Sequence, residues 1–405
     1  MIRKIRIRNF KALSDTGVCE ISKLTLLTGI NGRGKSSFIQ TLLLMSQSLR
    51  KTDGSPRNLF PNGDWCGLGS FKELVNVFND DQPIVISFQT DSQKENDFCF
   101  EYRQAIEKTS LGEAVSIKVD GFETIDAGGE SENDQIANGV PTIFETIDAG
   151  EEMSGGNMVG LPIEGPAGVA RTTYSDLSEL QKLKHLFFVS SDRRPAQNEE
   201  QIDESLPQYY VGTHGQYVLN VLNQCDDTQL EELKSKMDDI MDGATIELKP
   251  DYEKNRVYLY LDAVNEGRLF HPVNVGFGYS FIISTLLSLV LAKEGDTVIV
   301  ENPEAHLHPQ AQSRLMRYVV KCIEEKNIQV FIETHSDHVV NASLLAVHDG
   351  MPVDDVKILF FSSRSNPCDG IKVQNLELTQ KGVVKNPPKG FCDQYGYDMR
   401  KIMGF

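Results

Sequence analysis

The sequence predicts an α/β fold with a mostly parallel sheet flanked by helices, plus an antiparallel β region and an inserted helical lobe. At both ends of the chain, short apolar runs alternate with longer helical patterns, which is typical of a parallel sheet covered by helices. Between the ends, short strand-like runs follow one another and then give way to helical segments. We therefore predict that the two ends complete one α/β core, with the middle inserted between them.

The N-terminal part contains two kinds of predicted strand. Ile2–Arg8 alternates apolar and polar residues, whereas Leu24–Thr28 is nearly continuously apolar, as strands buried in a parallel sheet are. A helix is predicted for Lys35–Arg50. Three further strands, predicted to be antiparallel, are Ile84–Gln89, Phe98–Arg103 and Ala114–Val119.

The rest of the chain yields further helices and strands and a division into three parts. The predicted helices are Asp176–Lys184, Gln216–Gln224, Thr228–Met241, Tyr279–Lys293 and Gln310–Glu325. The predicted strands are Leu186–Ser190, Arg256–Asp262, Thr297–Val300, Gln329–Ile332 and Val356–Phe361. Residues 1–90 and 266–405 are predicted to form the two halves of the core, and residues 91–265 a β-rich and helical insertion.

Residues 120–170 differ from the rest in composition, because Gly, Asp, Glu, Asn and Ser dominate. Within them Phe122–Glu130 (FETIDAGGE) recurs 22 residues later as Phe144–Glu152 (FETIDAGEE). Two copies are too few for a repeat protein. We interpret the segment as a duplication inside a mobile acidic surface insertion, and a partner-docking hairpin is the alternative.

Composition and charge exclude several classes of protein. The seven cysteines form no C-x-x-C pair, which argues against a zinc ribbon and fits a reducing compartment. The longest apolar run, Phe281–Ala292, is too short to cross a bilayer, so we expect a cytoplasmic protein with no membrane partner. A net charge of −18 disfavours nonspecific nucleic-acid binding over the whole surface. It leaves open a local basic groove or a basic protein partner.

Gly29–Ser36 (GINGRGKS) matches the phosphate-loop pattern G-x-x-x-x-G-K-[ST] in full, between an apolar strand and a helix. In such a loop, backbone N–H groups surround the phosphates of ATP and the helix N-terminus favours their charge. Lys35 is predicted to bridge the β- and γ-phosphates, and the Ser36 hydroxyl to ligate Mg²⁺. Arg193 or Arg194 facing the phosphates is a further interpretation, with a surface salt bridge as the alternative. The predicted nucleotide contacts are Asn31, Gly32, Gly34, Lys35, Ser36 and Ser37.

Acidic residues follow the predicted strand Thr297–Val300. Glu301 takes the place of a carboxylate that supports Mg²⁺ at the C-terminal edge of the sheet. The next position, where a catalytic base is expected, holds Asn302, and an amide does not accept a proton from water. Either Glu304 supplies the base or hydrolysis is slow. We predict Glu301 and Glu304 as catalytic residues.

Histidines near these acids suggest two roles. His306 and His308 with Glu304 make an alternative metal site, which would need a fourth ligand. The strand Gln329–Ile332 leads into His335, and a histidine in that place can reach the γ-phosphate and report its presence. We predict His335 as a third catalytic residue.

Taken together, these motifs resemble the ABC-type ATPases of the OLD/RecF/SMC-like group. The segment Asn274–Ser280 (NVGFGYS), about 25 residues before Glu301, looks like the signature segment of this branch. The tail Asn386–Asp393 resembles a C-terminal domain of unknown function found on prokaryotic ATPases of this kind. The other stretches that carry the resemblance are Ile7–Lys11 (IRNFK), the GINGRGKSS loop, Glu301–Pro309 (ENPEAHLHP) and Glu333–His338 (ETHSDH).

The resemblance implies a P-loop fold of ABC-ATPase type and head-to-tail homodimers or higher oligomers. In such dimers the signature segment of one subunit closes on ATP held by the other. By this resemblance Gly276, Gly278 and Ser280 would contact the γ-phosphate across the interface, and His335 matches the switch histidine. The segment Asn274–Ser280 lacks the usual L-S-G-G-Q motif. Asn302 replaces the usual second acid, so slow ATP turnover is expected.

Two functions from different classes follow from the resemblance. The first is an ATP-driven switch in prokaryotic anti-phage defence that controls a separately encoded nuclease or toxin, since the C-terminal part shows no Toprim-like pattern. The second is a DNA-repair or chromosome-maintenance ATPase of RecF/SMC type, for which Arg3, Arg6 and Arg8 would line a basic groove. The motor subunit of a membrane transporter is a third interpretation, which the His-Leu-His-Pro ending fits poorly.

Overall fold

The computed structural model describes residues 1–52, 54, 56–91, 97–105, 111–119, 162–163, 170–171, 182–206, 211–263, 266–363 and 370–404. These residues form strands and α-helices together with three short 3-10 turns. The strands are β1 Ile2–Phe10, β2 Leu13–Asp15, β3 Cys19–Glu20, β4 Leu24–Gly29, β5 Asn58–Leu59, β6 Ile84–Thr90, β7 Asp97–Gln104, β8 Gly112–Val119, β9 Pro162–Ile163, β10 Ala170–Arg171, β11 Phe187–Val189, β12 Glu199–Gln201, β13 Thr245–Asp251, β14 Arg256–Asp262, β15 Thr297–Glu301, β16 Gln329–Glu333, β17 Val356–Ser363 and β18 Ile371–Leu376. The helices are α1 Lys35–Lys51, α2 Phe71–Leu74, α3 Val218–Asn223, α4 Asp227–Ile240, α5 Phe277–Leu291, α6 Pro309–Lys326, α7 Asp337–His348 and α8 Gln394–Ile402. The 3-10 turns are Lys182–His185, Pro272–Asn274 and Val353–Asp355.

The first sheet has the strand order β11-β15-β16-β4-β17-β18. The pairs from β11 to β17 are parallel, and β18 runs antiparallel to β17. Both faces of this sheet are buried, which explains the continuous apolar runs. Val330 and Ile332 pack in the core that contains α5 and α6, whereas Phe331 packs on the opposite face with residues of α1. The carboxyl ends of β4, β15 and β16 therefore meet at one edge of the sheet.

The second sheet is antiparallel and has the order β2-β1-β6-β7-β8-β5, with β3 also paired to β1. The three strands predicted for this region are all present and pair antiparallel. The strands β6 and β7 pair across the predicted boundary at residue 90. Their apolar side chains, such as Phe88 and Phe100, are buried in the same core as residues of α1, so this sheet covers one face of that helix.

The middle of the chain adds a small sheet, ordered β12-β14-β13, and the helices α3 and α4. Leu219 and Leu222 of α3 and Leu233 and Met237 of α4 are buried in the same core as α5. The core on that face of the parallel sheet is therefore shared between the middle and the C-terminal part.

Several predictions fall outside the described part of the chain. These are the duplicated segments Phe122–Glu130 and Phe144–Glu152, most of the segment 120–170, and most of the predicted helix Asp176–Lys184. The last residues of that helix lie in the turn Lys182–His185. No helix within the described residues is long and apolar enough to span a membrane.

Candidate functional site

The phosphate loop joins β4 to α1 through backbone geometry that requires glycine. A Cβ at Gly29 would lie 2.2 Å from the carbonyl oxygen of Phe361 on the neighbouring strand β17. Gly34 caps α1 in the left-handed region, with a φ of 83°. Asn31 and Gly32 between them are exposed to solvent.

Lys35 is folded back over this loop. Its Nζ donates hydrogen bonds to the carbonyl oxygens of Gly29 at 3.1 Å and Ile30 at 3.0 Å. Burial lowers the pKa of Lys35, and the carboxylate of Glu333 acts in the opposite direction. The ammonium thus lies at the loop, where phosphate oxygens would be stronger acceptors than the two carbonyls. Ser37 follows in the first turn of α1 and is half-buried.

Ser36 meets a carboxylate that the sequence analysis did not assign. Its Oγ donates to Oε1 of Glu333 at 3.0 Å. Glu333 ends β16, the strand between β4 and β15, so it comes closer to the phosphate loop than Glu301 does. Burial and, next, the charge of Glu301 raise the pKa of Glu333 to about 7. The strand order, which is not readable from local patterns, decides which carboxylate stands beside Ser36.

Glu301 lies at the end of β15, directly in register with Glu333 on β16. Its Oε2 accepts a hydrogen bond from the backbone N–H of Ser191 at 3.0 Å. Burial raises the pKa of Glu301, while the N–H and hydroxyl of Ser191 lower it. The predicted position at the C-terminal edge of the sheet is therefore occupied, and the carboxylate is held by the loop after β11.

Arg193 takes neither of the two roles considered for it. The side chain is buried, and its guanidinium donates to the carbonyl oxygens of Glu301 at 2.9 Å, Asn302 at 3.0 Å and Phe281 at 3.3 Å. It also donates to the Ser190 carbonyl, and burial lowers the pKa of Arg193 to about 10. Arg193 thus joins the end of β15 to helix α5, because its fork of donors matches carbonyls on both elements.

Glu304 lies in the loop that follows β15 (residues 302–308), which we call the acidic loop. It connects this loop to the loop after β16 that carries His335. Its Oε2 accepts from the hydroxyl of Thr334 at 2.9 Å, and its Oε1 from the backbone N–H of His335 at 2.9 Å. The His335 ring is exposed; burial and then the charge of Lys35 lower its pKa. Asn302 has a φ of 45°, a left-handed conformation that asparagine tolerates better than glutamate. The predicted catalytic residues Glu304 and His335 therefore lie together, close to Lys35.

The alternative metal site of Glu304, His306 and His308 is not assembled. The His306 ring packs against Phe281, with ring centres 4.7 Å apart, and Nδ1 of His308 accepts from the N–H of Gln310 at the start of α6. Across the described ranges, no three His, Cys, Asp or Glu side chains are grouped to hold a metal ion by themselves. The left-handed φ of 62° at His306 turns the chain between the two histidines.

The three residues predicted from the signature segment lie in different environments. Gly276 is exposed at the start of α5, where no side chain caps the helix. A Cβ at Gly278 would lie 2.5 Å from the carbonyl oxygen of His306, and Ser280 is 1% exposed. Gly278 and Ser280 are thus closely packed within their own chain. For all three residues, contact with a γ-phosphate across an interface stays a prediction.

Comparison with known families decides the assignment of the fold. Residues 1–138 and 189–340, more than half of the 405 residues, match the AAA ATPase domain family. The chain belongs to this family. The matched segments of the AAA ATPase domain contain the phosphate loop, Glu301, Glu304 and His335, so the expectation of an ATP-binding P-loop ATPase is confirmed at the level of the family. No curated protein matches the chain.

Two solved structures show the same fold at low identity. One is an SMC head bound to the C-winged helix domain of ScpA, with 13% identity, a TM-score of 0.53, and coverage of 94% of this chain and 98% of that chain. The other is an SMC head domain with an extended coiled coil, bound to the C-terminal domain of ScpA from Pyrococcus furiosus. Its identity is 10%, its TM-score is 0.50, and coverage is 99% of each chain. The AAA ATPase domain thus has an SMC head-like α/β fold, and the ABC-type expectation is confirmed to that extent.

The residues of the AAA ATPase domain fit Mg²⁺ bound together with ATP. A hard cation prefers oxygen ligands, and the Ser36 hydroxyl lies beside the buried carboxylate of Glu333. One oxygen of Glu333 is buried without a hydrogen-bond partner. Ser36 and the neighbouring carboxylates would hold the ion, and phosphate oxygens and water would complete its shell. Bound there, Mg²⁺ would neutralise charge on the phosphates.

Proposed function

We propose that the chain is a slow ATPase whose ATP-bound form is a homodimer, so that ATP acts as a dimerisation switch. The observation that carries this proposal is an unsatisfied surface at the start of α5. No side chain caps that helix. The Tyr279 N–H donates to the carbonyl oxygen of Gly276, and the amides before it have no acceptor within the helix. A helix start of this kind favours an anion such as a terminal phosphate. We call Asn274–Ser280 the signature half of the site, and Gly29–Ser37 with Glu301, Glu304, Glu333 and His335 the phosphate-loop half.

Apolar side chains surround the signature half. Val273 is 74% exposed and Phe277 is 61% exposed, and Phe270 is also exposed. Burying one such side chain stabilises an interface by about 1.5–3 kcal/mol. A second copy that brought its phosphate loop and ATP to this surface would supply both an apolar cover and an anion. The exposed Ile30 in the phosphate loop would contribute to that cover.

The arrangement of the acids supports slow hydrolysis. Asn302 occupies the usual base position, and both oxygens of Glu304 are already hydrogen-bonded to the His335 loop. Glu304 is the base in this proposal, and it acts once ATP closes the dimer. We expect turnover well below roughly 1–1000 per second.

The test compares molar mass in solution with and without nucleotide. Light scattering of the full chain is expected to give a monomer alone and a dimer with Mg²⁺ and a non-hydrolysable ATP analogue. Lys35→Ala should stay monomeric because it weakens nucleotide binding by about 100-fold. Lys51→Ala, at the other end of α1, is the matched control and should behave as the wild type. A nucleotide-bound monomer, or an equally nucleotide-dependent dimer of Lys35→Ala, would refute the switch.

The switch, in our proposal, controls a separately encoded nuclease or toxin in anti-phage defence. A net charge of −18 suits a basic protein partner. The two SMC heads were each solved with part of ScpA, a separate polypeptide, which is in line with a head that works through a partner. Copurification from the native host with and without ATP tests this. Recovery of the dimer without an effector encoded nearby would count against it.

The second candidate is a DNA-repair or chromosome-maintenance ATPase, which the SMC head-like fold favours. The predicted basic groove is already partly neutralised within the chain. Arg6 pairs with Asp15 at 2.7 Å and Arg3 pairs with Asp91 at 3.0 Å. Tight binding of duplex DNA that weakens steeply with salt would favour this function over effector control.

A further inference from the structure

We propose that Glu333 is a metal-supporting carboxylate of the ATP site, which joins Ser36 in holding the magnesium ion that arrives with ATP. The inference rests on the proposed function, because it assumes that ATP and Mg²⁺ bind at the phosphate loop. It goes further in naming which carboxylate of the chain takes part.

The topology places Glu333 closer to the phosphate loop than the residue expected there. Strand β16 lies between β15 and β4, so the end of β16 is the direct neighbour of the strand that leads into the loop. The Ser36 hydroxyl, the only metal ligand predicted from the loop itself, donates to Glu333 Oε1 at 3.0 Å. The carboxylate of Glu301 lies one strand farther away and accepts from the Ser191 N–H.

The second oxygen of Glu333 points to a missing ligand. The residue is only 5% exposed, and its Oε2 is buried with no hydrogen-bond partner. A buried carboxylate oxygen normally has a donor or a cation beside it. This oxygen without a partner belongs to the same carboxylate that already accepts from Ser36, a predicted magnesium ligand. A cation bound at Ser36 would therefore also lie close to Glu333 Oε2.

The charges around Glu333 favour a divalent cation over a protein donor. Glu301 stands next to Glu333 in register, and Glu304 also acts on its ionisation. The two nearby cationic side chains already donate to backbone carbonyls, Lys35 to the loop and Arg193 to the end of β15. The carboxylates are thus incompletely neutralised by the chain, and Mg²⁺ is a cation that carboxylates and a nucleotide bind jointly.

Three variants of the full chain test this, Glu333→Gln, Glu301→Gln and a control, with Mn²⁺ as the spectroscopic probe. Glu333→Gln keeps an oxygen that accepts from Ser36 but removes the charge. Glu324→Gln, exposed on α6, is the matched control. A fluorescent ATP analogue is titrated in EDTA to give the nucleotide affinity without metal. Mn²⁺ is then titrated with a non-hydrolysable ATP analogue bound, and electron paramagnetic resonance gives the Mn²⁺ affinity.

We expect Glu333→Gln to bind the metal-free nucleotide within about threefold of the wild type and to bind Mn²⁺ about 10–100-fold more weakly. Unchanged Mn²⁺ affinity, with Glu301→Gln weakening it instead, would overturn the proposal. Equal loss of metal-free nucleotide affinity would also overturn it, because Glu333 would then act by holding Ser36. If the wild type binds no nucleotide, the proposed function fails first, and that result is distinguishable from these outcomes.

Discussion

The two halves of the site differ in the kind of group that the chain leaves without a partner. In the phosphate-loop half, Lys35, Ser36 and Glu304 each have hydrogen-bond partners within the subunit. In the signature half, the helix start is uncapped and Val273 and Phe277 are exposed. The first half leaves one buried carboxylate oxygen, Glu333 Oε2, without a hydrogen-bond partner. The second half leaves apolar side chains exposed, which a second molecule would cover in our proposal.

This difference indicates that the two halves have different roles at the edge of the sheet. Residues that must hold charge in one place lie at the ends of strands and are fixed by the sheet. Residues that would meet a partner in our proposal lie at the start of a helix on the surface. Arg193 connects the two halves, because it binds carbonyls at the end of β15 and in α5. A change in one half is therefore expected to reach the other through this arginine.

The largest expected effect tests the phosphate-loop half. Glu304→Gln should lower ATP turnover about 100–10,000-fold if Glu304 is the base, and ATP-bound dimers should accumulate. Phosphate release and light scattering measure the two effects. Normal turnover would remove Glu304 from that role and leave its contacts with Thr334 and His335 as purely structural.

The next effect isolates the signature half. Phe277→Ser should weaken ATP-dependent dimerisation about 10–100-fold, since an exposed aromatic near the centre of an interface often carries much of its binding energy. Nucleotide affinity of the monomer should not change. Val77→Ser, at a position 82% exposed on a different loop, is the control. Equal weakening by both substitutions would show that this surface is not the interface.

A smaller effect, on stability, tests the packing of α5 against the acidic loop, where the two halves are in contact. Gly278→Ala places a Cβ 2.5 Å from the His306 carbonyl, so α5 must shift away from the acidic loop. We expect the free energy of unfolding to fall by about 1–3 kcal/mol in urea. At Gly276 the nearest atom to an added Cβ is a Tyr279 carbon at 3.6 Å, so Gly276→Ala should cost less. The reverse order would contradict the close packing described here.

The smallest effect concerns pH. The pKa of Glu333 is raised to about 7 by burial and by Glu301, so the folded chain keeps this proton to higher pH than the unfolded chain. That contribution to stability is full below pH 4.5, the ordinary pKa of a glutamate, and is lost as pH rises through about 7. In metal-free buffer, Glu333→Gln should be more stable than wild type at pH 8 by roughly 1 kcal/mol, and the gap should close toward pH 5. A constant gap across this range would show that Glu333 is not the titrating group.

Sequence patterns predicted the core elements well because they depend on neighbouring residues. The helix after the phosphate loop and strands β15 and β16 were placed within a residue or two of their observed ends. Helix α7 (Asp337–His348) and strand β13 were not predicted, since the apolar residues of α7 are spread around the helix and β13 is mostly polar. Helix α8 was missed for a similar reason, because it buries none of its residues.

The chain's amino-acid order alone determined the phosphate loop, the acid after β15 and the histidine after β16, since each is a short motif with its own backbone demands. Only the tertiary structure decided that Glu333 faces Ser36, that Arg193 is buried among carbonyls and that Gly278 touches the acidic loop. These contacts join residues about 30 to 300 positions apart. They depend on strand order and helix packing, which are set by the burial of the whole core and not by any local pattern.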